Sequence, residues 1–238
     1  LNLFINQMFQ QFPVLLGFRQ IDYLTGSGSV PSLVTGAESM IDMAQNDTAT
    51  IDIESLEITP EGQLHAVIKI TNLVGHYFPS GVGFRRAFIE FLVRDIDGNV
   101  LWASGRTNEL GAILNGRTDE VLPCEEPVAN DTAEFQPHYQ TITQEDQVQI
   151  YQELIKDSDG NLTTSFLRRI EDVKDNRLRP KGYNPQVFVN LFDSPFIQAL
   201  AETHGQAAFD PYYTDPSLTG ADVIEYLINP ENINISAV

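Results

Sequence analysis

The pattern of apolar and polar positions changes character at Ala49. From there "ATIDIESLEIT" sets Ile51 and Ile53, then Leu56 and Ile58, two residues apart, with a break in phase between the pairs. A period of two belongs to a β-strand, and a single break in phase to a bulge. "PEG" turns the chain into "QLHAVIKITN", where Leu64, Ala66, Ile68 and Ile70 share one face and His65, Val67 and Lys69 the other. "FRRAFIEFLVRD" predicts a third strand and "VLWASGRTN" a fourth. The "DIDGN" between them is a hairpin turn with Gly98 where positive φ is wanted. These four strands predict a compact antiparallel unit.

Residues 107–142 lack periodicity and are rich in Gly, Pro, Asn and acids, so they predict a long surface excursion. "EDQVQIYQELIKD", a turn at "SDGN" and "LTTSFLRRIEDVKDNRL" then predict a second hairpin, although "QVQIYQELI" also suits a helix by composition. "RPKGYNP" is a loop, "QVFVNLF" a short strand, "SPFIQALAETHG" a short helix and "ADVIEYLI" a closing strand.

Upstream of Ala49, Leu3, Phe4, Met8 and Phe12 recur at helical spacing in residues 1–24 up to Pro13, with no capping signal ahead of them. A helix without a start reads as one cut in the middle, and the chain is expected to be a piece of a longer protein. "TGSGSVPSLVTG" is a Gly/Ser-rich linker, and "AESMIDMAQNDTA" suits a short helix or an irregular segment. No repeat of solenoid or propeller length occurs. The expected organisation is an N-terminal helical segment and linker over 1–36, then a domain over 37–238. That domain is mainly β, an antiparallel two-sheet, Ig-like sandwich with an excursion at about 107–142 and a short C-terminal helix.

Charge narrows the function. Among 238 residues, 33 acids against 14 Lys and Arg leave a net charge of −19, which would repel nucleic acid and anionic membrane. No apolar run approaches the roughly 20 residues that cross a bilayer. Cys124 is the only cysteine, so an internal disulfide, a cysteine zinc cluster and a Cys-x-x-Cys-His haem attachment are all excluded.

The richest local chemistry is the corner "NLVGHYFPSGVGFRR". Gly75, Pro79, Gly81 and Gly83 let the chain turn sharply and let a backbone or a flat ligand come close. His76 within it is either a structural histidine bonded inside the loop, which local residues favour, or an axial ligand to a metal centre. Arg85 and Arg86 must face opposite sides of the strand that follows, so at most one points to the loop, either to hold a carboxylate or to cap loop carbonyls; a structural ion pair at the strand end is the preferred reading. "DIDGN" and "DSDGN" resemble the first half of a calcium loop. Their Gly stands at the fourth place instead of the sixth, and Arg106 and Arg168 hold the twelfth, so a tight acidic turn is the preferred reading and calcium the weaker one. "KDNRLRPKGY" gathers cations in an acidic chain and either docks carboxylates or braces its own loop. Nucleophile and phosphate-binding motifs are absent. Asn46, Asn130, Asn161 and Asn234 head glycosylation sequons.

Taken together, "TNLVGHYFPSGVGFRRAFIEFLVRDIDGNVLWASGRTN", "EDQVQIYQELIKDSDGNLTTSFLRR" and "VKDNRLRPKGY" resemble the C-terminal β-rich region of bacterial secreted multihaem c-type cytochromes. The family stretch Asn-Leu-x-Gly-His-x-x-Pro-[Thr/Ser]-Gly followed by Arg-Arg stands here as Asn72, Leu73, Gly75, His76, Pro79, Ser80, Gly81, Arg85 and Arg86. Its Lys-Asp-Asn-Arg-Leu-x-Pro-x-Gly stands as Lys174, Asp175, Asn176, Arg177, Leu178, Pro180 and Gly182. The resemblance spans about residues 45–228, and the opening helix looks like the continuation of a last haem-bearing segment. Every haem attachment motif is missing, so the resemblance implies a non-catalytic accessory domain, extracellular or periplasmic. That domain would pack its N-terminal helix and 75–83 corner against a multihaem cytochrome domain or subunit and so support electron transfer. It further implies that His76, Arg85, Arg86, Lys174 and Arg177 lie near a haem of that neighbour, with His76 as a candidate axial ligand.

Two other readings compete. One is a free-standing secreted β-sandwich that binds carbohydrate or matrix polymer through surface aromatics such as Trp102, Tyr139, Tyr212 and Tyr213. The other is a mononuclear iron or copper enzyme, which needs a second ligand beside His76, and His138 in "FQPHYQ" is the candidate.

Overall fold

The computed structural model describes residues 32–80, 85–125, 135–163, 165–183, 220–231 and 233 of the 238-residue chain. The helix expected within 1–24, the strand at 186–192 and the helix at 194–205 lie outside these residues.

The chain divides into two units after Ala49. In the first, helix α1 (Ser32–Asn46) covers the segment from Ala37 that suited a short helix or an irregular stretch, and takes in residues 32–36 of the expected linker. Leu33, Val34, Ala37, Met40, Ile41 and Ala44 recur at three- and four-residue spacing, and that period outweighs the local Gly36. Its end is closed locally: the Thr48 hydroxyl donates to the Met43 carbonyl at 2.8 Å, and the Asp47 amide donates to the same oxygen at 3.0 Å.

The rest is mainly β. The strands are β1 (Ala49–Ile58), β2 (Leu64–Asn72), β3 (Arg86–Phe88), β4 (Phe91–Arg94), β5 (Val100–Ser104), β6 (Thr141–Ile142), β7 (Ile150–Lys156), β8 (Leu162–Thr163), β9 (Glu171–Asp175) and β10 (Ala221–Ile228). One sheet has the order β1-β2-β10-β6; a second joins β3, β7 and β8, with β9 also pairing β7; the third is the β4-β5 hairpin. β10 lies antiparallel to β2, from Ala221 opposite Thr71 to Ile228 opposite Leu64. β6 runs parallel to β10, so the first sheet is not wholly antiparallel as expected.

In β2 the expected faces hold, with Ala66, Ile68 and Ile70 buried. Glu54 accepts from Lys69 Nζ at 3.0 Å, and Glu57 lies 3.4 Å from His65 Nδ1. Lys69 and His65 leave the outer face of β2, so two acids three positions apart share that face, which one bulge between them explains. Ile51, Ile53, Leu56 and Ile58 thereby fall on the inner side.

The single strand expected over "FRRAFIEFLVRD" is two. β3 pairs with β7, and after Ile89 and Glu90 the chain changes sheets to pair as β4 with β5. Gly105 permits the crossing: it sits at φ +79°, where a Cβ would stand 2.1 Å from the Ile89 carbonyl oxygen. The return strand of the second hairpin is likewise broken into β8, a 3-10 turn at Phe166–Arg168, and β9.

Side chains of all three sheets meet in one cluster. It holds Ile68 and Ile70 from β2, Trp102 from β5, Tyr151 from β7, and Ile224 and Tyr226 from β10. A second cluster of Ile113, Leu122, Val148 and Ile150 lies under the segment expected as a surface excursion. That segment folds back on itself through bridges of Thr107 with Ile113 and Leu114 with Val121, and buries Ile113, Leu114 and Leu122. Among the described residues no helix is long and apolar enough to cross a membrane.

Candidate functional site

The site grows from the end of β2, where Asn72 is buried and its side chain locks the corner. Its Nδ2 donates to the His76 carbonyl at 2.8 Å and to the Leu178 carbonyl at 3.2 Å, and its Oδ1 accepts from the Val74 amide at 3.0 Å. Phe78 and Leu178 then exchange both backbone hydrogen bonds, at 2.9 and 2.8 Å. The "NLVGHYFP" and "KDNRLRPKG" segments, distant in sequence, are therefore one structure. Gly81, Val82, Gly83 and Phe84 of the corner lie outside the described residues.

Aromatic and guanidinium groups line this junction. The rings of Tyr77 and Tyr183 are 5.6 Å apart; Arg177 lies over Tyr77 at 5.2 Å and Arg179 over Tyr183 at 5.0 Å. Burial pushes the Tyr77 hydroxyl well above its ordinary range, and its hydrogen bond with Tyr183 pushes the same way. Arg177 is held in a fork by Asp175, at 2.8 and 2.6 Å.

His76 is exposed on this junction. Its Nδ1 lies 2.9 Å from the Tyr77 carbonyl oxygen. A carbonyl only accepts, so in the neutral ring Nδ1 carries the proton and Nε2 keeps its lone pair. Metal-bound histidines are oriented in this way, by a backbone carbonyl on the second ring nitrogen.

The other predicted residues divide. Arg85 is exposed and donates to the Ser80 carbonyl at 3.0 Å, on the corner side. Arg86 turns the other way, into a forked ion pair with Glu125, whose side chain is 4% exposed. Lys174 is not at the surface at all: it is 0% exposed, and its Nζ donates at 2.8 Å to the carbonyls of both Gln136 and Ile150. Burial lowers its pKa to about 7. Asn176 completes this brace, accepting from the Gln152 amide at 3.0 Å and donating to the Ile150 carbonyl at 2.9 Å. The lysine and asparagine of the signature thus tie β9 to β7, and its two arginines face the tyrosines.

His138 belongs to a separate buried network. Its Nδ1 is 2.7 Å from Gln149 Nε2 and 3.2 Å from Asn176 Nδ2, and its Nε2 is 3.6 Å from Asp222 Oδ2, which accepts from the Tyr151 hydroxyl at 2.7 Å. Both ring nitrogens face these side chains. No group of three or more His, Cys, Asp or Glu that could hold a metal is found among the described residues. The acidic turns close on themselves: Asp95 Oδ1 accepts from the amides of Asp97 and Asn99 at 2.9 and 2.8 Å, and Asp157 Oδ1 accepts from those of Asp159 and Asn161 at 3.0 Å. Burial raises the Cys124 thiol to about 11, which leaves it a poor nucleophile.

Trp102, which the carbohydrate-binding reading would need at the surface, is 0% exposed in the core, edge-on to Phe91 and Tyr226. Tyr139 is half-buried; Tyr212 and Tyr213 lie outside the described residues. A cleft of about 520 Å³ does open beside Trp102, which lines it together with Asn115, Arg117, Gln144, Glu145, Asp146 and Glu231. Sequence reading named Asn72 in the motif without giving it a role, and missed Glu125. An asparagine closing a strand three residues ahead of a glycine was the available signal for the first, and nothing local marks the second. No family model, curated protein or solved structure matches this chain.

Proposed function

We propose that this chain is a non-catalytic accessory β-domain of, or partner to, an extracellular or periplasmic bacterial multihaem cytochrome, supporting electron transfer by packing its 75–83 corner against a haem domain. The observation that carries this reading is the junction itself. Asn72 and the Phe78–Leu178 pair fuse the two signature segments, and the fused structure presents His76 with Nε2 open. The three sheets around one cluster suit an Ig-like sandwich as its scaffold.

The residues fit a neighbouring haem unevenly. His76 suits an axial ligand, and exposed Arg85 suits a propionate. Arg177 is half-engaged by Asp175, Arg86 is committed to Glu125, and buried Lys174 has no charge to offer outside. A bound haem would supply one-electron redox chemistry; this chain would supply a ligand nitrogen and a shaped, partly apolar wall.

The test is the absorbance spectrum and mass of the protein isolated from its native source. A Soret band with a co-purifying haem protein supports the reading, and His76→Ala should then shift the low-spin haem bands of the complex. A colourless single species would overturn it. The second reading, a carbohydrate- or matrix-binding module, is favoured by the polar cleft at Glu145, whose carboxylate, amide and guanidinium groups suit a polyol.

A further inference from the structure

The apolar row of β1 is exposed. Ile51, Ile53, Leu56 and Ile58 lie on the side where Ala66, Ile68 and Ile70 enter the core, yet they are 59–67% exposed. β1 also stands at the end of its sheet, so one side of its ten-residue backbone has no strand partner among the described residues. A long edge strand with a continuous apolar row is a template for another strand, and natural proteins usually blunt such an edge with a proline or an inward charge. β1 contains no proline, and its charges all lie on the outer row.

That outer row decides what fits. Asp52, Glu54 and Glu57 occupy it; Glu54 meets the Lys69 ammonium, and Glu57 lies beside the His65 ring. Glu225 on β10 adds a further acid, 3.4 Å from His65 Nε2. A second copy paired antiparallel along this edge would set acids against acids in two chains that each carry −19. A strand that alternates apolar with basic residues meets both rows.

We propose that β1 is a docking edge for an extended segment of a partner protein that alternates Ile, Val or Leu with Lys or Arg, joining the sheet by strand addition beyond β1. Backbone hydrogen bonds would hold the added strand, its apolar row would extend the Ile51–Ile58 strip, and its cations would face Asp52, Glu54 and Glu57. This surface is distinct from the His76 junction, and it stands or falls independently of the haem reading.

The experiment uses the full chain and three synthetic peptides of about ten residues, the usual upper length of a strand: alternating Ile/Lys, alternating Ile/Glu, and a polar Ser/Lys control. Anisotropy should show the Ile/Lys peptide binding at least about tenfold more tightly than either other, with affinity falling as salt rises. Amide exchange should slow at residues 50–58. Asp52→Lys should weaken Ile/Lys binding several-fold and improve Ile/Glu binding, and Ile53→Asp should abolish both at an unchanged melting temperature. Equal affinity for the Ile/Lys and Ile/Glu peptides, absence of protection at 50–58, or indifference to Ile53→Asp would each overturn the proposal. So would sedimentation showing a dimer that Ile53→Asp dissolves, since the occupant would then be a second copy.

Discussion

β1 and β2 are neighbours in one sheet and carry the same alternation of Ile and Leu with acids and other polar residues, yet Ile68 is 2% exposed and Ile53 is 63% exposed. The difference is the layer above them. Ile68 joins the cluster with Trp102, Phe91 and Tyr151 from the other sheets, and no residue of β1 belongs to it. A period of two therefore states which side of a strand is apolar; whether anything covers that side depends on strands far away in sequence.

The contrast should be largest in stability. Ile68→Ala is expected to cost roughly 3 kcal/mol, the transfer of a buried side chain plus a cavity, while Ile53→Ala should cost about 0.5 kcal/mol or less. Denaturant unfolding of the two variants measures this, and equal losses would break the comparison.

The same contrast holds for ion pairs. Glu125 is 4% exposed and also accepts from the Ile113 amide at 3.2 Å, whereas Glu54 meets Lys69 at the surface. Glu125→Gln should destabilise by about 2 kcal/mol, because Arg86 is left half-buried with a weaker partner. Glu54→Gln should change stability by less than about 0.5 kcal/mol.

The lysines sharpen it further. Folded Lys174 releases its proton near pH 7, while the unfolded chain keeps it up to the ordinary lysine range. Between pH 7 and 10 the unfolded state binds more protons, so unfolding free energy should rise with pH, by on the order of 1–2 kcal/mol. The neutral amine still has two hydrogens, one for each of its carbonyl partners. Lys174→Met should remove the rise and Lys69→Met should keep it; a rise that survives Lys174→Met would place the titration elsewhere.

What could be read from the chain follows the same division. β2, β5 and β10 were legible because their period coincides with real cover. The β3–β4 split was not, since Phe88 and Phe91 sit in one apolar stretch interrupted only by Glu90, and only the remote strands β7 and β5 decide that they belong to different sheets. The excursion looked like surface because Ile113 and Leu122 have no apolar neighbours at regular spacing; they are buried by each other across a fold-back. At the junction, His76 and the arginines were visible as residue types. Their roles were only partly so: the segment of Lys174 was read either as bracing its own loop or as docking external carboxylates, and its contacts with Gln136 and Ile150 place the lysine inside.

The position of β10 has a consequence for time. It sits in the middle of the first sheet, with β2 on one side and β6 on the other, although both precede it in the chain. Until residues 221–228 are in place, β2 and β6 have no neighbour on their facing edges, and closing them demands contacts of very long sequence separation. Assembly of this sheet is thus a late and slow event, and a chain stopped short of Ala221 would be left with two open edges where the finished protein has one continuous ladder.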